Sequence, residues 1–346
     1  NIHETFNELD EHRDQISEEG SKLGLGFLGA GLTPDWSFDE MPIMPKSRYQ
    51  IMKNYMPKKG RLGLDMMFRS TTIQVNLDYS SENDMVKKLK VSLALQPIAT
   101  ALFANSPFLD GNLTGYKSFR SHIWTDTDPD RTGMLPFVFD GEMNYEKYVD
   151  YALKVPMYFI YRDGSYLDVS GLSFESFLNG DLEQLPNEKP NMNDWENHLT
   201  TIFPEVRLKS FLEMRGADGG SFESVCALSS FWVGLLYNSD SLNSSFELIK
   251  DFNINQLQEL RLEVAKNGIK STIGDINIKE ITKEVLELSR EGLRARNILN
   301  ENGDSEEIYL EPLKKILSSG NSSSDDLIQK FSNNWDKNLV NMYKEY

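Results

Sequence analysis

The chain has 346 residues, 39% of them apolar and 11% aromatic, with a formal net charge of −17 and an isoelectric point near 4.8. That composition supports a packed core of two domains or one large one, and its surplus of carboxylates argues against nucleic acid as a partner, which needs Lys and Arg to neutralise phosphate. The single cysteine, Cys226, excludes an internal disulfide and any Cys-rich metal site. A cytoplasmic, reducing location is expected.

The chain opens at Asn1 directly in a helical pattern, with Ile2, Phe6, Leu9 and Ile16 near helical spacing through 2–23. No signal peptide is visible, and a processed chain or fragment without its natural N-terminus is expected. GLGFLGAGL (24–32) reads as a Gly-rich buried strand, 33–47 as a Pro-rich loop, and 47–56 as a short helix ended by Pro57. Residues 71–80 alternate: Thr71, Ile73, Val75, Leu77 and Tyr79 form one face, Thr72, Gln74, Asn76 and Asp78 the other. A capped helix follows over about 82–104. It contains the longest apolar run, 91–104, which is too short to span a bilayer, so no membrane partner is expected. YKSFRSHIWTDTD (116–128) reads as a strand with Arg120, His122 and Trp124 on one side. A loop carrying Arg131, a helix near 144–154 and the apolar stretch 155–161 come next. A turn-rich region, 163–193, precedes a helix that begins near 193.

The stretch 207–215 reads as one strand ending in the glycines of RGADGG. One face is Leu208, Ser210, Leu212 and Met214; the other is Arg207, Lys209, Phe211, Glu213 and Arg215. From 221 on, helices are predicted at 222–237, 240–250, 254–267, 277–296, 304–318 and 324–331. Strands of alternating polarity interleaved with helices to about 220, then a helical region, predict an α+β fold built on an antiparallel sheet with one face covered.

Three of these strands present polar faces, Gln74/Asn76/Asp78, Arg120/His122/Trp124 and Glu213/Arg215. If they share one side of a curved sheet they form a cleft in which a carboxylate could hold Mg²⁺ and guanidinium groups could clamp a carboxylate or phosphate. A solvated face of an antiparallel sheet would look the same for any one strand. The Gly-rich pieces match no nucleotide-binding motif. His122 and His198 read as structural histidines, because HExxH and clustered ligands are absent. Cys226, in an apolar helix, reads as an inert buried thiol.

The long stretches 44–85 (MPKSRYQIMKNYMPKKGRLGLDMMFRSTTIQVNLDYSSENDM), 93–108, 119–140 (FRSHIWTDTDPDRTGMLPFVFD), 148–159, 193–220 (NDWENHLTTIFPEVRLKSFLEMRGADGG) and 227–237 closely resemble glutamate–cysteine ligases of the plant and alphaproteobacterial type, over essentially the whole chain. The resemblance implies a curved antiparallel sheet like that of glutamine synthetase, at residues 1–220, with a helical region, 221–346, packed on it. It implies ATP- and Mg²⁺-dependent joining of the γ-carboxyl of L-glutamate to the amine of L-cysteine through a γ-glutamyl phosphate, the first step of glutathione synthesis, by a monomer or homodimer. Glu213 would be a metal ligand and Arg215 and Arg120 catalytic anion clamps. Arg48, Gln74, Trp124, Tyr158 and Arg131 would bind substrate. The family's early strand of metal-holding glutamates does not occur in this sequence, which leaves Mg²⁺ under-coordinated by protein, and the fragment alone is expected to be inactive. Another amine acceptor, or a non-catalytic paralogue, is the alternative reading.

Overall fold

In a computed structural model that describes residues 1–345, helices carry most of the chain and the strands are short. The helices in chain order are α1 (Ile2–Lys22), α2 (Ser47–Tyr55), α3 (Gly63–Arg69), α4 (Glu82–Leu102), α5 (Phe119–Ile123), α6 (Tyr145–Lys154), α7 (Phe174–Asn179), α8 (Met192–Leu199), α9 (Phe222–Leu236), α10 (Ser239–Ile249), α11 (Ile254–Asn267), α12 (Ile278–Arg296), α13 (Glu311–Ser319) and α14 (Ser323–Asn333). The strands are β1 (Thr72–Leu77), β2 (Phe108–Leu109), β3 (Asn112–Leu113), β4 (Thr132–Gly133), β5 (Phe159–Arg162), β6 (Ser165–Asp168), β7 (Phe203–Pro204), β8 (Val206–Leu208), β9 (Leu212–Asp218), β10 (Thr272–Ile273) and β11 (Ile276–Asn277). Among the described residues no helix is long and apolar enough to cross a membrane.

The largest sheet has three antiparallel strands in the order β1-β9-β8. Alternation in β1 sends Ile73, Val75 and Leu77 into the core and leaves Gln74 and Asn76 outside, as its period of two predicts. The sheet lies on α4, whose residues from Val91 to Leu102 are all buried. A helix apolar on every side must be enclosed, and β9, α10 and α11 surround it. One core cluster joins Val75, Leu93, Met214, Trp232, Leu257 and Leu293, so apolar residues on both sides of position 220 share it. Helices α9 and α12 cross so closely that a Cβ on Gly292 would come within 1.9 Å of the Gly234 carbonyl oxygen; only hydrogen fits there.

Three predicted elements differ. Residues 24–32 form no strand. Leu32 makes one isolated bridge to Ser70, and the segment packs by backbone contact, with Gly29 against the Gly220 carbonyl and Gly31 against Asp218. The run 116–128 is α5 followed by a 3-10 turn, started by the Ser118 side chain accepting from the Ser121 N–H. The stretch 207–215 is a hairpin, with Arg207 paired to Glu213 and Leu208 to Leu212 around a turn at 209–211. Helices α3 and α7 and the small hairpins β2–β3 and β10–β11 were not predicted, the other long helices lie within a few residues of their predicted places, and Tyr346 is outside the described residues.

Candidate active site

Strand β9 carries the densest charge, and all seven of its residues are buried. Opposite Gln74 its pairing with β1 slips by one residue, so Arg215 and Gly216 together face one residue of β1. Such a bulge twists the strand locally and re-aims its side chains. It sits in the middle of the polar cluster. Gly216 has a separate constraint: a Cβ there would reach within 2.3 Å of the buried Gln96 amide on α4.

The cluster is built on Glu213. Its two carboxylate oxygens each accept from Arg207 Nη2 at 2.9 Å, and Oε1 also accepts from Arg215 Nη1. Lys209 Nζ stands 3.6 Å from Oε2. Gln74, with its amide turned to suit both partners, donates to Glu213 Oε1 at 2.9 Å and accepts from Arg215 at 3.1 Å. Burial pushes the Glu213 carboxyl up, but Arg215 and Arg207 outweigh burial and hold it below the usual range. Burial, and then the Arg207 guanidinium, bring Arg215 down to about 10, so it stays charged near neutrality.

Arg120 approaches from α5. It is 1% exposed and donates from Nη2 to the Arg215 carbonyl at 3.0 Å. Trp124, one helical turn on, lies on the same face, with the Arg120 guanidinium 5.9 Å from its ring. His122 points elsewhere, stacked on Tyr116 with centroids 4.4 Å apart. The predicted trio on one strand face is therefore a pair on one helix face, with His122 outside it. Behind Arg120, the buried Asp218 carboxylate accepts from Ser106 and Ser118 hydroxyls at 2.7 Å and from the Asn105 N–H at 2.8 Å. Ser106 in turn accepts from the Arg120 N–H at 3.1 Å, which anchors α5 to the end of β9.

Trp124, Phe203, Pro204, Glu205 and Arg215 line a small cavity of about 10 Å³, room for about one water. The Arg215 guanidinium lies 5.8 Å from each of the Trp124 and Phe203 rings. The structure thus brings together Gln74, Arg120, Trp124, Glu213 and Arg215.

Other expected site residues sit elsewhere. Arg131 and Tyr158 meet each other in the core, with the guanidinium 3.8 Å from the ring centroid. Arg131 donates to Asp128 at 2.6 Å, to the Thr201 carbonyl at 3.1 Å and to the Pro156 carbonyl at 2.7 Å, and the Tyr158 hydroxyl donates to Asp128 at 3.3 Å. Neither is exposed by more than 1%, and their polar atoms are taken up by their own chain. Arg48 lies in the first turn of α2 with its guanidinium 5.4 Å from the Tyr49 ring, apart from the Glu213 cluster. His198 donates from Nε2 to the Ala152 carbonyl at 2.8 Å and packs on Phe174. Arg207, Phe203 and Glu205 were not picked out as site residues by sequence. The signal for Arg207 was a turn at 209–211 that would have set it across from Glu213.

Among the described residues no group of three or more His, Cys, Asp and Glu could hold a metal ion. Glu213 itself offers no open oxygen, since two guanidinium groups, an amide and an ammonium already crowd it. What the arrangement can do is hold an anion in a dry, positively charged recess, where each interaction is stronger than in water.

A family model described as glutamate–cysteine ligase family 2 matches residues 1–345. The chain is 51% identical over 344 residues to glutamate–cysteine ligase B, chloroplastic, of Oryza sativa subsp. japonica, covering 99% of this chain and 68% of that one. It is 51% identical to glutamate–cysteine ligase A, chloroplastic, of Oryza sativa subsp. indica (99% and 69%), and 50% identical to glutamate–cysteine ligase, chloroplastic, of Arabidopsis thaliana (99% and 65%). These chloroplastic relatives overturn the expected cytoplasmic location. The lone cysteine behind that expectation speaks to a disulfide-free chain, which does not distinguish one reducing compartment from another.

Proposed function

The chain belongs to the glutamate–cysteine ligase family 2, and we propose that it joins the γ-carboxyl of L-glutamate to the amine of L-cysteine at the expense of ATP, in a plastid. The γ-carboxylate first takes the terminal phosphoryl group of ATP, releasing ADP. The cysteine amine then attacks the acyl carbon, phosphate leaves, and the amine's extra proton goes to solvent or base. Both steps bring negative groups together, so the protein's task is to offset charge and exclude water. The three-stranded sheet β1-β9-β8 is read as part of the curved antiparallel sheet of this family.

The observation that carries the reading is the buried network of Arg207, Glu213 and Arg215, covered by Gln74 from the exposed face of β1, with Arg120 and Trp124 beside it, at the rim of a cavity. Arg215 and Arg120 are assigned to clamp the reacting carboxylate or the transferred phosphate. Glu213 sets the spacing of Arg207 and Arg215, and Gln74 orients the pair. Mg²⁺, expected from the resemblance, does not fit the described residues by themselves: a divalent cation at Glu213 would face two guanidinium groups at hydrogen-bond distance. No step is assigned to it here.

The test is ADP release by protein expressed from its whole coding sequence. It should require L-glutamate and L-cysteine together and yield γ-glutamylcysteine, and Glu213→Gln should nearly abolish it. Release that ignores cysteine, or full turnover in Glu213→Gln, would overturn the assignment.

A further inference from the structure

Helix α11 belongs to the helical region, yet it reaches the candidate site through one side chain. Arg261 donates from Nε to Glu205 Oε1 at 2.6 Å. Glu205 lines the cavity with Trp124, Phe203 and Arg215, and its carbonyl accepts the Arg215 N–H at 3.1 Å. The pair is mostly buried, at 13% and 10% side-chain exposure. Arg261 Nη1 packs beside Gly133, 3.5 Å from where a Cβ would stand.

Arg261 Nη2 is buried and has no acceptor in the protein. The same holds for Trp124 Nε1, Arg120 Nε and Arg207 Nε. All four are donors and none can accept. The surrounding charges are Arg120, Arg207, Lys209, Arg215 and Arg261 against Glu205, Glu213 and Asp218, five cations to three carboxylates. A region with spare positive charge and spare N–H groups lacks an anion with oxygen acceptors. The cavity has about 10 Å³ of open room, far below the roughly 300–1,000 Å³ that whole ligands occupy, so it admits a single acceptor oxygen of a charged group.

We propose that Arg261 is a further substrate-binding residue, donating from Nη2 to a carboxylate or phosphate oxygen that enters beside Trp124 and Arg215, with Glu205 holding it in place. The proposal rests on the reading of this cluster as the substrate site, and deepens it by adding a residue from α11.

The test compares wild type with Arg261→Lys and Glu205→Gln by equilibrium titration of tryptophan fluorescence with L-glutamate, ATP and inorganic phosphate. Lysine keeps the charge and a bond to Glu205 but has no second forked donor. Arg261→Lys should weaken one of these ligands about 10- to 100-fold, the range of one hydrogen bond to a charged group. The others should be unchanged, and the melting temperature should stay within a few degrees. The ligand that moves distinguishes an amino-acid carboxylate from a phosphate. Glu205→Gln should weaken the same ligand, by less. Identical affinities for all three, equal weakening of all three with a lowered melting temperature, or no binding to wild type would each overturn the proposal. Turnover of the same preparations reads the ligase assignment separately: a wild type that binds and loses affinity in Arg261→Lys but makes no γ-glutamylcysteine sinks that assignment and spares the anion site.

Discussion

Neutralising Glu213 is the sharpest perturbation available, because the structure fixes what remains when its charge is gone. The residue is 3% exposed, and Glu213→Gln keeps its shape and one acceptor. It leaves Arg207 and Arg215, which share that carboxylate through Nη2 and Nη1, as neighbouring buried cations without a counter-charge. Removing one partner of a buried pair costs about 3–5 kcal/mol, or roughly two to three and a half orders of magnitude in the folding equilibrium at about 1.4 kcal/mol per decade. Urea unfolding at pH 7 measures it directly. The double variant Arg207→Met, Glu213→Gln should lose less than the sum of the single losses, since the second change removes one of the stranded cations. The acid limb gives an independent reading. The folded carboxyl titrates below its ordinary value, so the stability it contributes is complete above that ordinary value and is lost as pH falls through the lower folded one. In Glu213→Gln that part of the acid slope disappears. A loss under about 1 kcal/mol at pH 7 with an unchanged acid limb would mean that solvent or rearrangement already screens the cluster, and would refute the reasoning.

Gly216→Ala should cost about 1–3 kcal/mol by overpacking against Gln96, and adding Gln96→Ala should recover most of it in the same unfolding experiment; no recovery would place the strain in the bulge itself. His198 is held neutral, its pKa brought down to about 4 by burial. Its contribution to stability is therefore present above about 6.5 and is lost as pH falls towards 4. His198→Gln should flatten unfolding free energy across that window, and an unchanged curve would exclude it as the source. Arg131→Lys should destabilise the fold by giving up its bonds to the Thr201 and Pro156 carbonyls, while the KM values for both amino acids stay within about twofold; a selective rise in one KM would make Arg131 a substrate contact.

What sequence could show followed from how local each signal is. Strand β1 was legible because six residues alternate without interruption, and α4 because its capping serine and apolar run are contiguous. Positions 120 and 124 share a side under either reading, two apart twice over on a strand or one turn apart on a helix. Only His122 separates the two, and Ser118 in its capping position was the discriminating signal. The hairpin at 207–215 was missed because its turn, Lys209-Ser210-Phe211, contains no glycine, proline or asparagine. That one miss reversed the geometry of the site. On a single strand Arg207 lies six residues from Glu213, whereas across a hairpin it lies opposite. Gly29 and Gly31 answer to Gly220 and Asp218, nearly two hundred residues away in the chain, and no local pattern reports such contacts.

The unpartnered donors show where local rules give way. Ser92, Ser245 and Thr282 also lack partners and are buried. Each sits in a helix, where a hydroxyl can rotate to share the carbonyl one turn back, so such sites cost little. A guanidinium Nε–H or an indole N–H has one fixed direction and no such recourse, and each left unpaired costs about 1–3 kcal/mol. Three such groups, Arg120 Nε, Trp124 Nε1 and Arg207 Nε, and with them Arg261 Nη2, belong to the β8–β9 hairpin, to α5 and the turn that follows it, and to α11, while Arg69 Nε and Trp232 Nε1 stand unpartnered elsewhere. Each of the first four lies on a residue bonded to or packed on Arg215, Glu213 or Glu205. An acceptor shared between hairpin, α5 and α11 would satisfy all three elements at once. Its binding would then tighten α11 against the sheet, so protection of α11 amides from hydrogen exchange should rise on adding the ligand that Arg261→Lys weakens. Protection confined to α5 and β9 would take Arg261 out of the site.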